Sequence, residues 1–458
     1  YNRKGKGKSV NLLKIGISGV RGVAGQTLTP ELVLDFAGAF GTWVRGGPVC
    51  LGRDSRLSGP MLRQACLSAL AATGCDVLDL GLCPTPVLQY TVRARRAGGG
   101  ISITAGHNDK EWNALTFISR EGSYLNSYQG EEMLDIFHLG KFSRVGVDGL
   151  GKVILVSDHV RAYFEALEGF LDAAAIRRAG FKVAYDPCGG AGAGLLSELG
   201  RRLGFEVAAI NDEPTGHFPH DPEPRPRNAR QAAVLVKVTR GDAGFVLNSD
   251  ASRVSLVAED GETLSEEFTF PLVAAHVLGR TPGPVVTNLS TSRMIDDVAG
   301  GLDCPVTRTK VGQSFVVEGM VDEEAVVGGD GSGSVAVAAF QPAFDGFLTI
   351  GLILESMARS GKRLSALAAA LPRYHNVKEK VRCAQARVYS VLSEVKKLLG
   401  PDAVETVDGL RVEGPAGWLH VRASATEPMI RVIAEDTDKE AAQSRVDDVV
   451  QFISVLVK

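Results

Sequence analysis

The chain carries almost no excess of either charge, few aromatic residues and no long apolar run. A formal net charge of -3 at pH 7 leaves no basic field to hold a nucleic-acid backbone or an anionic membrane surface. No stretch approaches the ~20 apolar residues that a bilayer-spanning helix needs. No charged-then-apolar leader is seen at the start either. The first residues, Tyr1-Asn-Arg-Lys-Gly-Lys-Gly-Lys8, are basic and glycine-interrupted, and read as a frayed arm. Seven cysteines are scattered through apolar segments, and none forms a Cys-x-x-Cys pair. That pattern predicts buried free thiols rather than disulfides or a zinc site. A cytoplasmic protein is the expectation, with no nucleic acid and no membrane among its partners.

What is present is an ordinary globular composition, with 45% hydrophobic and 22% charged residues over 458 positions. By size this supports about three or four domains. Strand and helix signals alternate with short connections. Apolar strands are expected at 13–18, 49–52, 76–80, 101–104 and 114–118, with a glycine-rich turn at Ser18-Gly-Val-Arg-Gly22. Helices are expected from Pro30, from Ser58 and from Thr85. The plan recurs at 182–247, with strands at 182–185, 207–210 and 243–247, and again at 285–360. The last ninety residues differ, with strands expected near Tyr374, Val404, Trp418 and Ile430 and helices at 388–399 and 439–457. The fold class is therefore α/β, with three consecutive related α/β domains plus a C-terminal α+β domain. The expected boundaries are 10–155, 156–257, 258–370 and 371–458.

Four polar segments stand out from this framework. The loop after strand 101–104 carries Gly106, His107 and Asn108 between two buried strands, a good place for a cleft floor. Asn248-Ser-Asp-Ala-Ser-Arg253 leaves strand 243–247 with one carboxylate, Asp250. Gly328-Gly-Asp-Gly-Ser-Gly-Ser334 sets Asp330 and Ser332 in a glycine-rich loop. Arg422-Ala-Ser-Ala-Thr-Glu-Pro-Met-Ile-Arg431 combines Ser424 and Thr426 with Arg422 and Arg431, a set able to cradle a phosphate by charge-assisted bonds. Arg21, Arg53 and Lys310 supply further positive charge. On the residues alone each segment is also compatible with a plain polar turn.

Taken in order, these segments resemble the α-D-phosphohexomutase family of phosphoglucomutase, phosphomannomutase and phosphoglucosamine mutase. The resemblance runs from about Lys14 to the C-terminus. It rests on Ser18-Gly-Val-Arg-Gly22, Gly52-Arg-Asp54, the His107-Asn108 turn, Thr309-Lys-Val-Gly312 and Arg422-Ala-Ser-Ala-Thr-Glu-Pro428. In that family a loop reading Thr-Ala-Ser-His-Asn-Pro carries the phosphoserine, and here its serine position is Gly106 and its proline position Asp109. An Asp-x-Asp-x-Asp-Arg segment holds Mg²⁺ in the family, and here two of the three aspartates are Asn248 and Ser252. A Gly-Gly-Glu segment recognises the sugar, and here the glutamate is the shorter Asp330, followed by Ser332. The resemblance implies that Arg422, Ser424, Thr426 and Arg431 grip the non-transferring phosphate. It also implies that the four domains stand round a central cleft, that Arg21 and Arg53 flank the transfer site and that Lys310 assists proton transfer; desolvation would tune Lys310 for that task, and His107 is a further catalytic candidate that on the residues alone orients the loop.

Phosphoryl transfer needs an in-line nucleophile and neutralisation of the equatorial oxygens. With Gly106 in place of the serine and Asp250 left alone in the metal loop, the expectation is a family member without standard mutase activity. It would keep a hexose phosphate or similar anion as ligand and act as a pseudoenzyme, as a ligand-dependent partner of another protein or in altered chemistry. No cofactor is expected on this reading. The alternative is an active phosphoglucosamine- or phosphomannose-type mutase, an intramolecular phosphotransferase using Mg²⁺, whose serine is substituted in this chain.

Overall fold

A computed structural model describes residues 13–16, 19–400, 404–424 and 428–457. The first sheet has seven strands, β1 Lys14–Gly16, β2 Gly19–Val23, β3 Val49–Arg53, β4 Val77–Leu82, β5 Gly99–Ile103, β6 Trp112–Ser119 and β7 Val153–Leu155, in the order β1-β2-β6-β5-β3-β4-β7. The second is β11-β10-β8-β9, from β8 Lys182–Asp186, β9 Glu206–Ala209, β10 Ala243–Leu247 and β11 Val254–Ala258. The third is β13-β12-β14-β15, from β12 Val285–Asn288, β13 Val306–Thr309, β14 Val327–Asp330 and β15 Ser334–Val337. These three sheets share one plan. Each first strand lies between two parallel neighbours, and each third strand turns back into an antiparallel fourth. In the first sheet that motif is β6-β5-β3-β4, extended by β2 and β1 on one side and β7 on the other.

Parallel neighbours need crossovers, and helices supply them. Thr29 caps the helix Pro30–Val44 by accepting from the Leu32 N–H at 3.4 Å, with proline at the first turn. The helix Gly59–Ala72 returns β3 toward β4, and Thr85–Ala94 carries β4 to β5. The central strands are rich in apolar residues, as burial on both faces demands: β10 and β11 are buried at every position. The fourth sheet is antiparallel, β16-β19-β18-β17, from β16 His375–Arg382, β17 Leu410–Glu413, β18 Gly417–Ala423 and β19 Met429–Asp436, packed against the helices Gln385–Leu399 and Lys439–Val457. The α/β and α+β division is thus the observed one. All seven cysteines are free and buried. Among the described residues no helix is long and apolar enough to cross a membrane.

Several local expectations differ from the structure. The glycine-rich segment after 18 is not a turn, because Gly19–Val23 pairs with β6 along its whole length. Val404 is not in a strand; the fourth strand of that sheet begins at Leu410. The helices Ser127–Leu139, His159–Phe170, Ala173–Ala179 and Thr269–Leu278 were not foreseen. Two of them have legible starts, a capping box at Asn126 with Gln129 and an Asp172 cap on the Ala175 N–H. Thr426 and Ser18 lie outside the described residues.

Candidate functional site

The shared plan decides where the polar segments go. In each α/β domain the third strand and its antiparallel neighbour form a hairpin, and the hairpin tips are the Gly106 loop, the Asn248–Arg253 loop and the Asp330–Gly333 loop. The fourth sheet contributes its own hairpin, β18–β19. The three equivalent tips and the adjoining residues Arg422, Ser424 and Arg431 of the fourth sheet line one cleft. Its two lobes share His107, Arg253, Val311 and Gly312. One, of about 230 Å³, runs from His107 past Asp330 and Ser332 to Arg422, Ser424 and Arg431. The other, of about 460 Å³, is lined by Arg21, Gly106, Asn248, Asp250, Ser252 and the start of the helix Gln313–Asp322.

A buried arginine holds the Gly106 loop. Arg56 is fully buried and pairs through Nη1 with Asp54, and Nη1 also donates to Ser249 Oγ at 2.8 Å. Its Nη2 donates to the Asn108 and Gly106 carbonyls, and its Nε to Trp112 O at 2.8 Å. Thr104 Oγ1 donates to Asp54 Oδ2 at 2.6 Å and accepts from the Gly106 N–H at 2.9 Å. Ser249 Oγ, from the second domain, reaches Gly106 O at 2.6 Å. Backbone carbonyls of a sharp loop are thereby satisfied by one planar cation and the Ser249 hydroxyl, and the Gly106 N–H by Thr104. The Thr104 and Ser249 hydroxyls are consumed in this framework. Gly106 itself has φ +55°, the left-handed region that glycine enters without cost. A Cβ there would still have room, 3.6 Å from Asp250 Oδ2 and 3.7 Å from Asn248 Nδ2.

Opposite Gly106, the Asn248–Arg253 loop satisfies itself. Asn248 Oδ1 accepts from the Arg253 N–H at 3.1 Å, which fixes the amide so that Nδ2 donates to Asp250 Oδ1 at 2.8 Å. The same carboxylate oxygen accepts from Ser252 Oγ at 2.7 Å and the Ser252 N–H at 3.1 Å, and Oδ2 from Thr85 Oγ1 at 3.2 Å. A hard divalent cation requires several oxygens, preferably charged. Here one carboxylate faces hydrogen-bond donors, so the residues present do not fit Mg²⁺. Among the described residues no cluster of three His, Cys, Asp or Glu side chains could hold a metal ion.

Charge in the cleft is mainly positive. Arg21 donates to Asn108 Oδ1 at 2.8 Å, and burial plus repulsion by Arg253 and Arg56 pulls its pKa to about 10. His107, at the junction of the lobes, is held well below the usual imidazole range by desolvation and by Arg253, Arg21, Arg431 and Arg56. Arg422 and Arg431 stand directly opposite each other across β18 and β19. Burial, and then the Arg431 charge, lowers Arg422 to about 10. Like charges in register weaken a sheet, so this pair is built for something other than stability. Asp330 ends β14 and accepts from the Ser332 N–H at 3.0 Å and from the Ser332 hydroxyl. The tip is a tight hairpin rather than a flexible loop. Gly333, at φ +83°, is needed because a Cβ there would lie 2.3 Å from Val254 O of the neighbouring domain.

Two expected site residues lie elsewhere. Arg53 donates to Asp54 O at 2.9 Å and lines neither lobe; the arginine that reaches the loop is Arg56, three residues on. Lys310 is exposed, with Nζ 5.8 Å from the Phe315 ring centroid, and not in a desolvated setting. It too lines neither lobe, although its neighbour Val311 does and donates its N–H to Asp408 Oδ2 at 2.8 Å. Sequence reasoning assigned no role to Arg56, Ser249, Arg253 or Lys378. Arg253 was legible as the basic residue ending the Asn248 segment. Lys378 was not, since it reaches the first lobe only because β16 sets its Nζ 2.8 Å from Glu267 Oε1 of the third domain.

Models of the phosphoglucomutase/phosphomannomutase α/β/α domains I, II and III match residues 12–144, 161–261 and 266–374, and that of the C-terminal domain matches 377–452. A Thermococcus kodakarensis protein named phosphoglucomutase/phosphomannomutase is 34% identical over 452 residues, covering 97% of this chain and 99% of its own. A Methanopyrus kandleri protein named probable phosphoglucosamine mutase is 34% identical over 442 residues, covering 96% and 97%. Among solved structures, a Burkholderia thailandensis phosphoglucomutase/phosphomannomutase family protein superposes with a TM-score of 0.84 at 28% identity, covering 97% of this chain and 96% of the other.

Proposed function

The chain belongs to the phosphoglucomutase/phosphomannomutase family, and on that premise we propose that it holds a phosphosugar in the cleft without running the phosphate relay. The observation that carries the proposal is Gly106 at the loop tip, facing an Asn248–Asp250–Ser252 loop whose one carboxylate is already satisfied. A relay requires a side chain that takes the phosphate and hands it back, and neutralisation of the moving charge. Neither is supplied by these residues. Loss of a nucleophile in such a unit commonly costs several orders of magnitude in rate.

Ligand binding rests on the other lobe. The opposed Arg422 and Arg431, with Ser424 beside them, suit the phosphate that does not move. Thr426 is assigned to the same loop from the sequence. Asp330, its carboxylate oriented by Ser332, suits adjacent sugar hydroxyls, and Lys378 adds a donor. His107 and Arg21 act as positioning groups, His107 through the loop and Arg21 through Asn108. On this reading the protein is a pseudoenzyme whose output is its liganded state, read by a protein partner, or an enzyme of altered chemistry in the same cleft.

The second reading, a working mutase, is favoured by the space at Gly106, where a serine Cβ meets nothing closer than 3.6 Å. One experiment separates them. The protein is incubated with a hexose 1,6-bisphosphate and Mg²⁺, intact mass is measured, and turnover of a hexose 1-phosphate to the 6-phosphate is followed. No phosphoprotein and no turnover are expected, together with a rise in melting temperature on adding the hexose 6-phosphate, since a ligand of the native state must stabilise it. A phosphorylated cleft residue with Mg²⁺-dependent turnover would establish the mutase.

A further inference from the structure

The strand pair that carries Arg431 also sends a lysine into the third domain. β16 runs antiparallel to β19, with Lys380 opposite Arg431 and Lys378 opposite Ile433. Side chains two residues apart on a strand share a face and stand about 7 Å apart, so Lys378 lies one row along from the arginine pair. His420 flanks Ile433 in the same row from β18, and its Nδ1 meets Ser290 Oγ of the third domain at 2.8 Å. From this row the Lys378 ammonium crosses the domain boundary. Its Nζ donates to Glu267 Oε1 at 2.8 Å, to Glu266 Oε1 at 3.1 Å and to Gly331 O at 3.4 Å. Gly331 stands between Asp330 and Ser332 at the hairpin tip of the third domain. A Cβ at Gly331 would overlap the Glu267 carboxylate, so the tip is seated directly on that group. Glu267 is buried, and its Oε2 accepts from the Ser292 N–H at 3.1 Å. Two neighbouring carboxylates withdrawn from water need a cation, and the cation supplied comes from another domain. The contact thus joins the strands that hold the arginine pair to the loop that carries Asp330. Lys378 and Glu266 both line the lobe between them.

We propose that Lys378 is a positioning residue for the sugar: from the fourth domain it seats the Asp330–Gly333 tip of the third at a fixed offset from Arg422 and Arg431, so that phosphate and ring hydroxyls are engaged together. The sugar half of this statement rests on the phosphosugar reading above. The hold of Lys378 on the tip does not. No bond is made or broken in the proposal.

Calorimetry on the full chain, with glucose 6-phosphate and with inorganic phosphate, tests it on wild type, Lys378→Met and Lys378→Arg. Lys378→Met is expected to weaken glucose 6-phosphate at least ~10-fold, about the worth of one hydrogen bond to the sugar, and to leave the affinity for inorganic phosphate unchanged. Lys378→Arg keeps the charge and should restore most of the difference. Gly331→Ala disturbs the same contact from the side of the tip and should give the same sugar-specific loss, so it decides the matter if circular dichroism shows Lys378→Met unfolded. Equal losses for the two ligands, or none, would overturn the proposal, because a lysine that merely braces the fourth domain does not distinguish a sugar phosphate from phosphate. A second arm reads hydrogen exchange on the free chains. Peptides covering 328–334 should exchange faster in Lys378→Met than in wild type or Lys378→Arg, with β10 unchanged. Should wild type bind glucose 6-phosphate no tighter than phosphate, the phosphosugar reading falls and this arm alone decides whether Lys378 seats the tip: faster local exchange supports it, and unchanged exchange refutes it.

Discussion

Replacing Arg422 by methionine is expected to stabilise the free protein and weaken its hold on a sugar phosphate, two effects of opposite sign from one residue. The side chain is 8% exposed and faces Arg431 across the β18–β19 ladder. Its guanidinium donates to Ala423 O at 3.4 Å, and its buried Nε has no partner among the described residues. A fall in pKa from 12.5 to about 10, driven first by burial and then by Arg431, corresponds to about 3 kcal/mol against the charged form at neutral pH. Methionine keeps most of the apolar stem and removes the charge, so about 1–3 kcal/mol of local stability should be recovered. A charge-assisted hydrogen bond contributes about 1.5–3 kcal/mol, so affinity for a hexose 6-phosphate should drop roughly 10- to 150-fold. Four domains make a single melting point a poor gauge. The local gain is better read as slower hydrogen exchange at the β18 and β19 amides, with calorimetry for the ligand. Faster exchange with unchanged affinity would identify Arg422 as a structural arginine and remove the phosphate clamp from the argument.

The layers of the fold were open to sequence reasoning because the signals are clean: an apolar strand such as β10, and helices begun by Thr29-Pro30 and Thr85-Pro86. Strand pairing was not legible at Gly19–Val23, where two glycines, two valines and an arginine look like a turn until β6 supplies a partner. The helix Thr269–Leu278 is apolar on nearly every side and shows no amphipathic period to find. At the site, motif order predicted which segments meet, and the repeated hairpin position explains why they do. What motif order could not supply was aim. Arg53 and Arg56 are separated by one turn of chain, yet only Arg56 is directed into the loop, because Asp54 and the carbonyls of Gly106, Asn108 and Trp112 are arranged to receive it. Likewise Asn248 and Ser252 read in sequence as two missing ligands. The structure adds that both donate to Asp250.

Gly106→Ser tests the nucleophile directly. The left-handed φ of +55° should cost about 1–2 kcal/mol, and the single variant should show no phosphoserine by mass spectrometry; full mutase turnover from it alone would refute the role given to the Asn248 loop. Arg56→Met should destabilise by about 3–5 kcal/mol, as stranding a buried partner charge does, here Asp54; a loss under ~1 kcal/mol in a denaturant melt would mean the loop is held by other contacts. The last expectation concerns acid. His420 is buried between domains, with Nε2 2.6 Å from Asp408 O and Nδ1 2.8 Å from Ser290 Oγ, so that Nε2 carries the proton and Nδ1 accepts from the hydroxyl. Desolvation, with Arg422 and Arg411, lowers it from 6.5 to about 4. As pH falls below 6.5 the unfolded chain takes up a proton at this position and the native chain does not, so stability drops until pH 4 and then levels. The full window amounts to about 3 kcal/mol. Glu267, raised by burial from 4.5 to about 7, works in the opposite sense between those values, since there the native state holds the extra proton and stability falls as pH rises. The two windows overlap, so the wild-type profile alone isolates neither group. Its difference from His420→Gln isolates the histidine: wild type should lose stability relative to the variant from pH 6.5 to 4, and a flat difference would show that His420 titrates normally.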